Sequence, residues 1–349
     1  MTERSRDMGY TFSPARVRKT WMPLSPSRLQ LRKHPSVFLP LAFLAVSTSI
    51  YAESVGYELV RELRGDGGFV NGVACSPNGG TVVVACDNGK VRLINPLSAN
   101  QDRSFPTSQG PVYSVAIRGD GRVLATAGFD GTIRTWDLLN GKELQISRGH
   151  AGWINAVTFA AAGRELVSAG RDCTVRSWEA DTGKCLRIMT DYPSEVFSVA
   201  VSKDGRWFAS DKGDSISVRL FETGREVVGG IPGQWGINTL LFGPGPDAVI
   251  TSGYDGKVWQ WNLTAATVAH EVAVEGGPII SVAIPGDGGT LAALCTGDRT
   301  VKLLDTKSWK VVGHLPGVAY PTGGVAFSAD GRWLVAAGGD SPVRIWRRH

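Results

Sequence analysis

Cysteine is scarce in this chain and carries no pattern: Cys75, Cys86, Cys173, Cys185 and Cys295 form no C-x-x-C pair, which leaves haem attachment and a zinc knuckle without support. Histidine is equally sparse, five residues in 349. His270 and His314 stand apart on outer strands with no matching ligand set, and no metal is expected. A nucleotide-binding loop is missing, so no cofactor is implied. Long apolar runs are missing too: the stretch Val37–Val46, "VFLPLAFLAV", is about half of the roughly 20 residues needed to span a bilayer. An excess of positive charge is absent from most of the chain. The formal net charge is +5, yet residues 1–52 hold eight basic and two acidic residues, leaving 29 basic against 30 acidic in the remainder. A nucleic-acid partner needs a basic face on the folded part, and that part has no excess from which to build one.

What the chain has is repetition. The phrases "GVAC", "SVAI", "AVTF", "SVAV", "TLLF", "SVAI" and "GVAF" recur at Val73, Val115, Val157, Val199, Leu240, Val282 and Val325, with separations of 42, 42, 42, 41, 42 and 43 residues. A period in the low forties, with short β-rich runs broken by glycine turns, marks a four-stranded blade repeated around an axis. Within each unit a first strand leads to a turn such as Asn78-Gly79, Asp120-Gly121 or Asp330-Gly331, dipeptides that accept the positive φ of a tight hairpin. A second run follows ("VLATAG", "ELVSAG"), then a turn centred on Asn88, Asp130, Asp172, Asp214, Asp255, Asp298 or Asp340. A third run ends at Ile94, Trp136, Trp178, Phe221, Trp261, Leu304 or Trp346, and a fourth reads like "KELQIS". Each unit is a β-meander. The expected fold is all-β: a seven-bladed propeller of four-stranded antiparallel blades over residues 53–349.

Blade 3 is the most complete unit, "RGHAGWINAVTFAAAGRELVSAGRDCTVRSWEA", with Gly149-His150, Ser168, Asp172 and Trp178. In these residues and in the sevenfold spacing the chain resembles the WD-repeat (WD40) propeller family. The other blades are degraded: none has the Gly-His pair at the equivalent position, and blades 1, 4 and 6 lack the closing tryptophan. The resemblance implies that His150, Ser168, Asp172 and Trp178 form a hydrogen-bonded structural network inside the blade.

The two ends suggest how the ring closes. Blade 7 reaches Trp346 with three residues behind it, while Tyr57–Leu63, "YELVREL", alternates like the fourth strands of the other units. It is expected to supply blade 7's outer strand and remove an open edge. Residues 1–52 read as a leader: basic residues through Lys33, the apolar core Val37–Val46, then "STSIYA" with Ala52 before a cut near Glu53. Export to the periplasm or beyond the cell is expected, with anchoring by an uncleaved leader as the alternative. Translation from Met22 would give a leader of 31 residues, close to the usual length of about 15–30. Export would permit disulfides. The cysteines nevertheless fall where other blades carry Val, Ile, Ala or Ser, and they read as small buried apolar residues. The turn register sets Cys75 beside Val82 instead of Cys86.

His150, Ser168 and Asp172 could in principle make a nucleophile, base and orienting acid. The aspartate, however, recurs in the equivalent turn of five other blades, and only one blade has the histidine. No catalytic residue is therefore expected, and a hydrolase or lyase propeller with an unrecognised site is kept as the alternative. In a meander the loops joining strands four to one and two to three emerge on the same face, here called the top. Phe69, Phe129, Trp153 and Arg171 form an arc there over blades 1 to 3, with Trp235, Tyr254 and Tyr320 further round. Exposed aromatics and arginine dominate protein interfaces. The expectation is a non-enzymatic scaffold, monomeric within a larger assembly, with protein partners and no membrane insertion of the mature domain; its preferred specific form is a periplasmic accessory to a redox or envelope complex.

Overall fold

The structure, a computed structural model, describes residues 56–64, 68–108, 110–160, 162–232, 236–245, 247–317, 323–339 and 342–349. The leader, Trp235, Tyr320 and the turn residue Asp340 lie outside this set. The described strands form seven four-stranded antiparallel sheets, each built from consecutive strands except one. That one takes Tyr57–Leu63 as the outer strand beside Val343–Arg348. Tyr57 pairs with Arg348 and Leu63 with Val343. Arg347 to Glu58 (2.7 Å) and Arg344 to Glu62 (3.1 Å) flank the joint.

Second strands are buried along nearly their whole length, and end to end in Val82–Cys86 and Val123–Gly128. A blade has a neighbour on each face, so both faces of its central strands must be apolar. The period-2 alternation then sorts one run into two cores. Val82, Val84 and Cys86 pack with Val335, Val343 and Ile345 of blade 7, while Val83 and Ala85 pack with Leu124 and Trp136 of blade 2. Seven apolar clusters result, one for each junction of adjacent blades, including that between blades 7 and 1. Tyr57 belongs to the cluster between blades 6 and 7. The closing strand is therefore packed as well as hydrogen-bonded.

Polar staples cross the same junctions, and they alternate in kind. The side-chain amides of Asn71, Asn155 and Asn238 donate to the carbonyls of Val112, Val196 and Ile279 in the next blade, at 3.0, 2.9 and 3.0 Å. Between these, the hydroxyls of Ser114, Ser198 and Ser281 accept from the amides of Val157, Leu240 and Val325, at 3.1, 3.0 and 3.2 Å. Two kinds of staple cannot alternate around an odd ring. The seventh junction uses the main chain instead, with Val70 N–H donating to Gly339 O at 3.0 Å.

The hairpin glycines hold the positive φ their turns require, 72° at Gly121 and 70° at Gly331. Cys75 pairs with Val82, and all five thiols are free. Cys86 and Cys295 are buried as expected of strand cysteines, whereas Cys75, Cys173 and Cys185 are only part-buried. Cys173 is on the turn after Asp172, with φ of 59°, and not on a strand.

Candidate functional site

In blade 3 the second strand (Glu165–Gly170) carries Ser168 and the third (Val175–Glu179) carries Trp178. His150 precedes the first strand and Asp172 sits in the second turn. Asp172 lies 2.9 Å from His150 Nδ1, His150 Nε2 lies 2.7 Å from Ser168 Oγ, and the Trp178 indole N–H donates to the same Oγ at 2.8 Å. With Asp172 accepting from Nδ1–H, Nε2 holds the lone pair and Ser168 donates to it. Burial keeps the His150 ring below its ordinary pKa, and thus neutral. Burial also pulls the Asp172 carboxyl up, but the Ala151 N–H, the His150 ring and Thr174 together hold it below the usual carboxylate range. The order is that of a catalytic triad, yet the Ser168 residue is 0 % exposed and its hydroxyl is fully engaged. A substrate cannot reach it. Among the described residues no three His, Cys, Asp or Glu side chains gather as metal ligands.

Two other blades keep the tryptophan arm of this arrangement. Trp136 donates to Thr126 Oγ1 at 3.0 Å and Trp261 to Thr251 Oγ1 at 2.9 Å. Blade 4 requires a correction. Phe208 pairs with Arg219 as Leu166 pairs with Trp178, so Arg219 stands in the tryptophan's place. Phe221 lies past the third strand (Ser215–Leu220) and meets Phe208 edge-on at 6.2 Å. Tyr192 takes the position of His150, with its hydroxyl 2.8 Å from Ser210 Oγ. Asp191 binds Arg219 at 2.5 Å and Lys212 at 2.9 Å. Burial raises the Asp191 carboxyl, but these two cations outweigh it and bring its pKa to about 2.

The top face gathers part of the expected arc. Trp153 is its centre: the Phe129 ring lies 5.0 Å away, the Tyr113 ring 5.9 Å, and the Arg171 guanidinium stacks 4.5 Å from its centroid. Arg171 also pairs with Glu195 at 2.8 Å. Phe69 is 48 % exposed on blade 1 and belongs to neither ring pair; Tyr254 on blade 5 is 52 % exposed. Phe197 on blade 4, 51 % exposed, was not anticipated. Its signal in the sequence was an aromatic at the position where blades 1, 3 and 5 carry asparagine. His270 is not isolated either, since it stacks on Trp309 at 5.4 Å.

The family model described as "WD40: WD domain, G-beta repeat" matches residues 57–95, 100–137, 141–179, 183–221 and 309–347, more than half of the chain. Over 97 residues the chain is 32% identical to the human "WD repeat-containing protein 36", covering 28% of this chain and 11% of that protein. Over 155 residues it is 32% identical to "WD repeat-containing protein SL1-17" of Schistosoma mansoni, covering 43% of this chain and 50% of that one. The chain thus spans half or less of the length of these relatives.

Proposed function

We propose, from the premise that this chain belongs to the WD40 family, that it is a non-enzymatic platform whose top face binds a protein partner. WD40 propellers in general serve as protein-interaction scaffolds and typically bind protein partners. The observation that carries the reading for this chain is a contrast of exposure. The serine–histidine–aspartate constellation found among the described residues is sealed inside blade 3, whereas Phe129, Trp153 and Arg171 form a contiguous group with Phe129 43 % exposed. Aromatic and arginine side chains that lose water on docking supply most of the energy of a typical interface.

The leader gives the proposal its compartment. A basic stretch, an apolar core and Ala52 before Glu53 support export, with the propeller working outside the cytoplasm as an accessory to a larger envelope or redox assembly. Among the described residues no helix is long and apolar enough to cross a membrane. The test is affinity capture of the expressed full chain followed by mass spectrometry, then binding measurements on Trp153→Ala and Arg171→Ala. Affinity should fall at least tenfold for Trp153→Ala, about 1.4 kcal/mol. Affinities equal to the parent for both variants would remove the top face as the site.

A further inference from the structure

Blade 4 departs from its neighbours where its inner strand begins. Elsewhere that strand pairs its leading residue with the end of the second strand, as in Val112 with Gly128, Ile154 with Gly170 and Ile237 with Gly253. In blade 4 the inner strand is only Val199–Val201, and the ladder stops at Val199 with Ser210. The amides left over are taken up by a side chain. Phe197 N–H donates to both carboxylate oxygens of Asp211, at 2.9 and 3.1 Å, and Ser198 N–H donates at 2.7 Å. The other blades carry Ala85, Ala127, Ala169, Ser252, Leu294 and Ala337 at this position, by the register that aligns Val199 and Ser210 with their counterparts. Asp211 is 3 % exposed and makes no ion pair among the described residues.

What it holds is functional in position. Phe197 is half exposed on the blade next to that of Trp153, and Ser198 is the staple that accepts from Leu240 N–H of blade 5. The geometry points to Asp211 as an acid-sensitive latch on the docking face: ionised, it fixes the leading segment of blade 4; protonated, it loosens its hold on Phe197 and Ser198 and slackens the staple to blade 5. This rests on the top face being the docking face. Both amides reach Oδ1, at 2.9 and 2.7 Å, and Phe197 N–H also reaches Oδ2 at 3.1 Å; a proton on Oδ2 turns that oxygen into a donor, removes the 3.1 Å bond and leaves Oδ1 a weaker, uncharged acceptor for both amides.

The surroundings leave those amides as the main hold on the charge. The inner strands Val199–Val201 and Ile237–Phe242 carry no ionisable residue. Arg219 on the third strand is held by Asp191, Lys212 next along the chain by Asp191 and Glu226, and Glu195 before the latch by Arg171; Asp214 in the following turn adds negative charge. Burial raises the Asp211 carboxyl to about 6, with the Ser198 and Phe197 amides pulling it back only in part. Because the folded pKa is above the unfolded one, the fold takes up this proton more readily than the open chain. Acidification from about 6 toward 4 therefore relieves a cost to global stability, and the loosening is local.

The test follows the Phe197 and Ser198 amide resonances and the Asp211 carboxyl carbon in the labelled full chain from about pH 7.5 to about pH 4.5. All three should titrate together with a midpoint near 6, and the two amides should lose that step in Asp211→Asn. Amides that stay flat while the carbon titrates, or a carbon midpoint at the ordinary carboxylate value, would overturn the latch. The wild-type titration decides the matter even if the variant fails to fold. Since it needs no partner, its failure is separate from a failure of the docking face, which Trp153→Ala reports.

Discussion

Replacing Asp172 by alanine should cost far more than the same change at Asp130, although the two aspartates hold equivalent places in adjacent blades. Asp130 accepts from Thr132 N–H at 3.0 Å and Thr132 Oγ1 at 2.8 Å, with Arg134 at 3.5 Å, all at the mouth of a turn. Asp172 makes the same turn bonds to Thr174, and in addition holds the Ala151 N–H at 3.0 Å and His150 Nδ1 at 2.9 Å. The His150 side chain is 0 % exposed, so no water can replace the lost acceptor. One buried donor left unpaired costs about 1–3 kcal/mol, and the Ala151 and Arg176 contacts bring the expected loss for Asp172→Ala to about 2–4 kcal/mol. For Asp130→Ala the loss should stay at about 1 kcal/mol, since only the turn bonds to Thr132 and the Arg134 pair are lost and no buried imidazole or neighbouring loop amide is left without its acceptor. At roughly 2 °C per kcal/mol for a chain of this size, the melting temperatures at neutral pH should fall by about 4–8 °C and by about 2 °C or less. The difference has a pH signature. Asp172 sits below the usual carboxylate range when folded, so its contribution is complete above the ordinary value of 3.8 and disappears as pH falls through the depressed one. His150, neutral in the fold, adds a separate loss in the wild type as pH falls below 6.5. Circular dichroism melts of the three proteins across this range would show both. Equal losses for the two variants at neutral pH would refute the idea that the histidine relay, and not the turn itself, makes Asp172 important.

Other expectations follow from the ring. Deleting Tyr57–Leu63 should lower the melting temperature more than any single substitution, because blade 7 loses its outer strand and the core between blades 6 and 7 loses Tyr57; an unchanged melt would refute the closure. Asn155→Ala and Ser114→Ala should each cost about 1 kcal/mol in urea unfolding, and a loss within error for both would mean that the staples are redundant with apolar packing. N-terminal sequencing of exported protein should read from near Glu53, and replacing Met22 should abolish most expression; cell-associated protein retaining residues 1–52 would reject export, and undiminished expression would reject that start.

The features legible in the sequence are those decided by near neighbours along the chain. Alternation and Gly-containing turns fix a hairpin within about ten residues, so the meander, the sevenfold period and the placing of Cys75 opposite Val82 could all be read without coordinates; the closing strand, whose partner is at the far end of the chain, was legible only because blade 7 lacks a fourth strand and Tyr57–Leu63 is a strand left over. The network of blade 3 was nameable for a related reason, because its four residues occur within one unit and match a family pattern. Blade 4 shows where that reasoning stops. A shorter second turn shifts the third strand, so a search for a closing aromatic picks Phe221, while the register gives the place to Arg219. Asp211 sits in "WFASDKG" like any strand-end residue, and nothing nearby in the chain says that two stranded amides need it. The inter-blade staples were equally hidden, since their partners are 41 to 44 residues apart and become neighbours only when blades pack. The sequence by itself determined the blades and their number, because strands and turns are written locally. The tertiary structure alone decided what each buried polar group pairs with and which aromatics reach water, because those depend on the adjoining blade.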